Sequence, residues 1–331
     1  MNVLSLFDGM SGGQLALQKA GLKVDKYYSC EIDEYAQSVT RYNFPDTIFL
    51  GDVTKVDFSK LKDIDLVIGG SPCQDLSFAK GNGKGLEGSR SSLFYKFVEA
   101  IEVCKPEYFL LENVKMKQEW KDIISDLLGV QPIFINSADF SAQNRQRLYW
   151  TNIPVAPWTP CNDKLQDILE TGQVDRDKSH CLDANYFKGG NLKSYFEKHR
   201  RQLVFINPAS IVSRRIDKLG KRQDYNAAVP KVQTLEVHEK TKSRCVSTVS
   251  KDSLLSPLPE GRYEANPLYY RKLTPIECSR LQTVPDNYTS KGIRDGKEVK
   301  ISNTQRYKML GNGWTINVIA HIFESLRKGA V

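Results

Sequence analysis

The chain has 331 residues, 40% of them hydrophobic and 26% charged, with a formal net charge of +8. That length can bury a large core and allows about two domains. No apolar run approaches membrane-spanning length, and residues 1–7 lack the basic start and cleavage site of a signal peptide, so the expectation is a cytoplasmic, nucleoid-associated protein with no membrane partner. Seven scattered cysteines without a Cys-x-x-Cys pair, and four histidines without ligand spacing, argue against a disulfide framework and against a metal site.

Along the first 150 residues, short apolar β-rich runs alternate with amphipathic stretches. Strands are predicted at 3–7, 26–30, 47–50, 65–68, 108–111, 132–136 and 148–150, with helices at 14–20, 35–42, 93–104 and 118–128. Strands spaced by helices predict an α/β fold whose mostly parallel sheet is covered on both faces. Pro154, Pro157 and Pro160 then mark a linker, and residues 153–269 read as a smaller, loop-rich β module with short runs at 202–207 and 245–249. This segment holds 19 Lys+Arg against 14 Asp+Glu. The excess suits a polyanion-facing surface, or simply a solvated one. Thr274-Pro275-Ile276-Glu277 has the spacing of a capping box at a helix start, and a last helix is expected over 314–327. The domains are therefore 1–152 with 270–331, a discontinuous unit, and 153–269 inserted between its parts.

Five polar or glycine-rich signals fall at the predicted carboxyl ends of successive strands, the edge where open α/β sheets bind ligands. The first is Phe7-Asp8-Gly9-Met10-Ser11-Gly12-Gly13, which lets the backbone turn tightly and approach a ligand. Glu31-Ile32-Asp33 follows the second strand; Glu31 can accept from ribose hydroxyls or merely begin a helix beside Tyr35. Gly51-Asp52-Val53 follows the third, with Asp52 either receiving an adenine amino group or closing an Asx turn. The fourth strand runs into Gly69-Gly70-Ser71-Pro72-Cys73-Gln74-Asp75-Leu76-Ser77. A thiol in such a turn is a candidate nucleophile, although a lone cysteine is more often buried and inert. After the fifth strand comes Glu112-Asn113-Val114, an acid or hydrogen-bond partner for the Cys73 site, or a helix cap.

Two further segments fit. Residues 77–92 are polar, glycine-rich and basic; they suit a lid over a phosphate backbone, with Ser77, Lys80, Lys84 and Arg90 as candidate DNA contacts, or an idle surface loop. In Gln143-Asn144-Arg145-Gln146-Arg147 the two arginines alternate before an apolar run, so both face one way, toward a carboxylate or base carbonyl, or in an exposed ion pair.

In this order the motifs resemble those of the cytosine-C5 DNA methyltransferase family, bacterial or phage type. Phe7 to Gly13 resembles its cofactor loop, Gly70-Ser71-Pro72-Cys73-Gln74 its Pro-Cys motif, Glu112-Asn113-Val114 its Glu-Asn-Val motif and Gln143 to Arg147 its Gln-x-Arg-x-Arg motif. The stretch from Arg271-Lys272-Leu273-Thr274 to Arg280-Leu281-Gln282 is similar to the segment after the family's recognition region, and Gly311-Asn312-Gly313 to its closing cofactor motif. Ser11, Ser71 and Gly313-Trp314 depart from the common pattern without removing a catalytic group. The resemblance implies a Rossmann-like methyltransferase fold using S-adenosylmethionine, with S-adenosylhomocysteine as product. It implies Cys73, Glu112, Arg145 and Arg147 as catalytic residues, the arginines holding the base and positioning Glu112. Cofactor contacts are implied for Phe7, Asp8, Gly9, Met10, Ser11, Glu31, Ile32, Asp52, Val53, Pro72, Leu93, Asn312, Gly313 and Trp314. Residues 153–269 become a target recognition domain, with 181–185 and 245–249 as candidate base-reading runs. The partner is duplex DNA, a cognate restriction endonuclease acting separately and an orphan or phage enzyme both stay open, and the architecture needs only a monomer. Competing readings are a tRNA cytosine-C5 methyltransferase, a non-catalytic DNA-binding member, and a nucleotide-dependent oxidoreductase with a redox Cys73.

Overall fold

The structure, a computed structural model, describes residues 1–71, 93–206, 209–237, 253–255 and 270–328. A seven-stranded sheet organises it: β1 (Asn2–Leu6), β2 (Lys26–Cys30), β3 (Ile48–Phe49), β4 (Leu66–Gly69), β5 (Tyr108–Val114), β6 (Ile133–Asn136) and β7 (Gln146–Thr151). The strand order is β3-β2-β1-β4-β5-β7-β6. The order reverses at β1 and β4, which places a crevice at their carboxyl ends.

The apolar runs become buried strands because both sheet faces are covered. Alternate side chains divide between two cores: Val3, Leu66, Ile68 and Leu110 enter one, while Leu4, Leu6, Val67, Phe109 and Leu111 enter the other. This is the period-two alternation of strands sandwiched between helices. The first core is closed by α1 (Gly12–Lys19) and the last helix, the second by α3 (Phe94–Cys104) and α4 (Gln118–Leu128). Gly13 is required where α1 crosses the sheet, since a Cβ there would lie 2.4 Å from Ile68 Cδ1 and 2.6 Å from the Tyr27 hydroxyl. Helix α2 (Glu34–Asn43) begins at Asp33, whose carboxylate accepts from the Tyr35 and Ala36 amides.

The expected parallel sheet holds for β1 to β5. At its far edge β7 runs antiparallel to both β5 and β6, because residues 137–145 join β6 to β7 without a crossover helix, and a short connection permits only the antiparallel direction. That antiparallel partner also lengthens β5: the strand predicted to end at 111 continues to Val114.

Residues 152–206 pack partly against the sheet. Leu165, Leu182, Tyr186 and Val204 enter the first sheet core beside Leu273, Leu281 and Leu310. Helix α5 (Leu192–Lys198) and β8 (Leu203–Phe205) add a small cluster of Tyr195, Leu203 and Phe205. Beyond them β9 (Ala209–Arg215), β10 (Lys231–Val237) and β11 (Ser253–Leu255) form a three-stranded sheet in the order β10-β9-β11. The chain returns through β12 (Tyr270–Lys272), which pairs antiparallel with β8. The run predicted at 245–249 lies outside the described residues.

Helix α6 (Pro275–Leu281) has the expected capping box between Thr274 and Glu277. A hairpin of β13 (Lys291–Arg294) and β14 (Lys297–Lys300) follows, then α7 (Asn303–Asn312) and α8 (Ile316–Lys328). Among the described residues no helix is long and apolar enough to cross a membrane.

Candidate active site

Glu112 was expected in the turn after its strand, but it lies within β5, paired opposite Tyr149 of β7, while Val114 is opposite Arg147. Arg147 is therefore a diagonal cross-strand neighbour on the same face. Its Nε lies 2.7 Å from Glu112 Oε1, and both side chains are nearly buried. The pairing is charge-assisted and shielded from bulk water, which makes it stronger than a surface ion pair. The other oxygen, Oε2, faces Gly70 at the end of β4: a Cβ on Gly70 would lie 3.1 Å from Oε2 and 3.1 Å from the Trp314 indole nitrogen. Next along β5, Asn113 donates to Ser71 Oγ at 3.0 Å. Asn113 thus holds Ser71, the residue that precedes the Pro-Cys pair in sequence. Pro72, Cys73, Ser77, Lys80, Lys84 and Arg90 themselves lie outside the described residues.

Arg145 does not join Arg147 at the carboxylate. The residue is 4% exposed, and its guanidinium donates to the carbonyls of Leu182 at 3.0 Å, Gly311 at 3.3 Å and Gly313 at 2.9 Å. It serves as a clamp between the middle segment and the end of α7. Burial, then the neighbouring Arg147, lower its pKa from the usual arginine value. Gln143, which sequence reasoning left without a role, is fully buried in the same clamp: its Oε1 accepts from the Leu182 amide at 2.7 Å. Its place in the motif with the two arginines was the available signal. The clamp is tight, since a Cβ on Gly311 would stand 2.3 Å from the Asp183 backbone.

At the carboxyl ends of β1 to β3 the glycine loop is held by Asp8. The buried Asp8 carboxylate accepts from the hydroxyls of Ser5 (2.6 Å), Ser11 (2.5 Å), Tyr27 (2.7 Å) and Ser29 (2.9 Å). Burial raises its pKa while the hydroxyls oppose that shift. Asp8, expected among the cofactor contacts, is instead turned inward and shapes the loop, with Phe7, Gly9 and Ser11 all at φ 59°. Met10 is buried, its carbonyl accepting from the Tyr288 hydroxyl at 2.7 Å, and Val53 is buried in the second core. These two therefore offer a ligand little side-chain surface.

Other residues do face the crevice. Glu31 accepts from the Gly9 amide at 2.7 Å through Oε2, and from the Ile32 and Asp33 amides through Oε1. Burial raises its pKa against those hydrogen bonds. A carboxylate offers about four lone-pair directions, so Glu31 retains capacity for a ribose hydroxyl. Beside it Ile32 is 73% exposed, a large apolar side chain left in water. Asp52 caps a short 3₁₀ turn, accepting from the Thr54 amide and hydroxyl through Oδ1, which lowers its pKa. A Cβ on Gly9 or Gly51 would meet nothing within 4 Å, so the two loops border open space. Leu93 precedes α3 as its N-cap. Across the sheet edge, Asn312 ends α7 and is exposed, and the half-buried Trp314 follows Gly313. An acid, an exposed aliphatic surface and free space together fit an adenosyl group.

The sheet order and a buried carboxylate–guanidinium pair at its carboxyl edge define an α/β protein of the methyltransferase type. The chain belongs to the C-5 cytosine-specific DNA methylase family, whose model matches residues 1–328. It is 26% identical over 438 aligned positions to the orphan methyltransferase M.SPRI of Bacillus phage SPR, covering 98% of this chain and 97% of that one. It is 28% identical to the type II methyltransferase M1.ScrFI of Lactococcus lactis subsp. cremoris, covering 98% of this chain and 77% of the relative. Among solved structures, the Entamoeba histolytica methyltransferase EhMeth superposes with a TM-score of 0.63 at 15% identity, covering 100% and 99% of the two chains. The S. pombe Dnmt2 methyltransferase does so with a TM-score of 0.54 at 16% identity, covering 100% of both.

Proposed function

We propose that this protein methylates carbon 5 of cytosine within a short duplex DNA sequence, using Cys73 as nucleophile and S-adenosylmethionine as methyl donor. The observation that carries the reading is the Glu112 carboxylate, fixed by Arg147 and turned toward Gly70, in a chain of the C-5 cytosine-specific family.

Cytosine C5 is a weak nucleophile until something adds to C6. The Cys73 thiolate forms a C–S bond at C6 while Glu112 delivers a proton or hydrogen bond to N3, so the electron pair of the former C5–C6 double bond enriches C5. Arg147 keeps Glu112 oriented through this change, since its Nε holds one carboxylate oxygen and leaves the other facing the crevice. S-adenosylmethionine, when bound, supplies an electrophilic methyl group. A base, water included, later removes the C5 proton, the double bond reforms, the thiolate departs and N3 returns any proton it received to Glu112. The cytosine must first leave the duplex, at a cost of a few kcal/mol. Glu31, Ile32 and Asp52 hold the adenosyl end of the donor, and Trp314 walls the crevice beside Glu112. Residues 153–269 act as the recognition segment, and the architecture needs only a monomer.

Bisulfite sequencing of a plasmid from cells expressing the chain tests the reading. Protected cytosines at one short motif, lost in Cys73→Ser, are expected. Unprotected cytosines in every context, with folded protein present, would overturn it, and methylation of tRNA alone would transfer the activity to RNA.

A further inference from the structure

The long connection between β9 and β10 is an ordered structure with an exposed tip. These strands pair from Ala209–Val237 to Arg215–Lys231, and residues 216–230 join them. Asp217 closes the first turn by accepting from the Leu219 and Lys221 amides, each at 2.9 Å, and from the Gln223 side chain at 3.1 Å. The Gln223 amide returns to the Arg215 carbonyl at 2.7 Å. Arg215 then reaches across to the carbonyls of Ala227, at 3.0 Å, and Val229, pinning the far side of the connection.

On this braced frame two large side chains stand in water. Tyr225 is fully exposed and Leu219 is 85% exposed. Holding apolar surface out on an ordered turn opposes the hydrophobic effect and contributes nothing to the core. The charges around them are mainly positive: Arg214, Arg215, Lys218, Lys221, Arg222 and Lys231 against Asp217 and Asp224. Both acids are engaged within the connection, Asp217 in the turn and Asp224 with Arg222. Lys218 and Lys221 are exposed beside Leu219. Arg222, Gln223, Asp224, Asn226 and Ala227 border a shallow hollow, open to solvent, around Tyr225.

We infer that the tip of the β9–β10 ribbon, residues 217–227, enters a groove of duplex DNA and sets the sequence preference of the methyl transfer. A two-stranded ribbon fits the major groove, where thymine methyls and base edges distinguish all four pairs. Lys218 and Lys221 neutralise flanking phosphates, while Tyr225 and Leu219 place apolar surface against base edges. The ordered turn means little conformational freedom is lost on docking. This assigns the base-reading role to a segment different from 181–185, whose backbone is committed to packing against Gly311.

The inference rests on the proposed DNA activity, and the experiment separates the two. Binding of the full chain is measured to a duplex carrying the motif found by bisulfite sequencing and to a scrambled duplex. Tyr225→Ala and Leu219→Ala are each expected to lower the ratio of specific to scrambled affinity about tenfold, the scale of one lost base contact. The Lys218→Ala/Lys221→Ala double variant should weaken both duplexes alike and flatten the salt dependence by roughly two ions. Melting temperature and S-adenosylhomocysteine affinity should not change. A methylating parent whose Tyr225→Ala variant is folded and keeps the same affinity ratio overturns the inference alone. So does a variant that loses only self-association. A folded parent that leaves DNA unmethylated sinks both.

Discussion

Gly311 and Asp183 meet backbone to side-chain vacancy: at the end of α7, the space a Cβ would take on Gly311 is filled by the Asp183 carbonyl group, 2.3 Å away. Arg145 straps the same junction by donating to Leu182 and Gly311. Two chain segments more than 120 residues apart are thus locked at the end of α7, just before Gly313 and Trp314.

Gly311→Ala should therefore destabilise the protein by about 1–3 kcal/mol, the usual cost of forcing a methyl group into a packed site. Because Trp314 lies three residues on, S-adenosylhomocysteine binding should weaken as well. Thermal unfolding and calorimetric titration check the two effects. An unchanged melting temperature would mean that the junction can part without loss.

Glu112→Gln should lower kcat about 10²–10⁴-fold, the range of a positioned proton donor. Arg147→Lys keeps a cation but not the fixed fork of a guanidinium, so it should lower kcat with little change in KM for DNA. Single-turnover methylation of a duplex substrate reads both. Equal losses in KM and kcat for Arg147→Lys would point to a role in holding DNA in place of orienting Glu112.

Ile32→Ala tests the adenosyl site. Covering a large aliphatic side chain contributes about 1.5–3 kcal/mol, so the variant should bind S-adenosylhomocysteine roughly 10- to 100-fold more weakly. Its melting temperature without ligand should hold, because Ile32 is 73% exposed. A lower melting temperature with unchanged affinity would show that Ile32 serves the fold.

His180 provides a pH signature. Burial, then the neighbouring Arg176 whose Nη1 lies 2.6 Å from His180 Nε2, push its pKa from 6.5 down to about 4. Between those values the unfolded chain binds a proton that the folded protein refuses, so stability falls as pH drops through the window. His180→Gln keeps an acceptor for Arg176 but cannot titrate. Melting curves between pH 6.5 and 4 should fall less steeply for the variant. Parallel curves would exclude His180 as the source.

The strands were legible because a sheet buried on both faces writes itself as apolar runs. Lys26–Cys30 and Gln118–Leu128 match their predicted bounds, and the Thr274 capping box marked α6. The direction of β7 was not legible, since it depends on which strand lies beside it. The same ladder extended β5 and moved Glu112 from a turn into a strand. The hairpin over Lys291–Arg294 and Lys297–Lys300 escaped notice because it is largely charged, although Asp295-Gly296, both at positive φ, was a turn signal.

Within the site, motif spacing brought Glu112 and Arg147 together, but it did not separate Arg145 from its neighbour. Alternation fixes the face on which a side chain lies and says nothing about what fills that face. The inward turn of the Asp8 carboxylate was not legible for a similar reason: its hydroxyl partners come from both β1 and β2 and from the loop between, an arrangement that only the assembled sheet creates.

The pairing of β8 with β12 keeps residues 205 and 270 side by side whatever intervenes. Lengthening the stretch between them costs little, about 0.6 kcal/mol for each doubling of a flexible loop. Material can thus be added or removed there while β8 and β12 stay paired. A whole segment can be exchanged at such a closed seam without rebuilding the sheet beneath it.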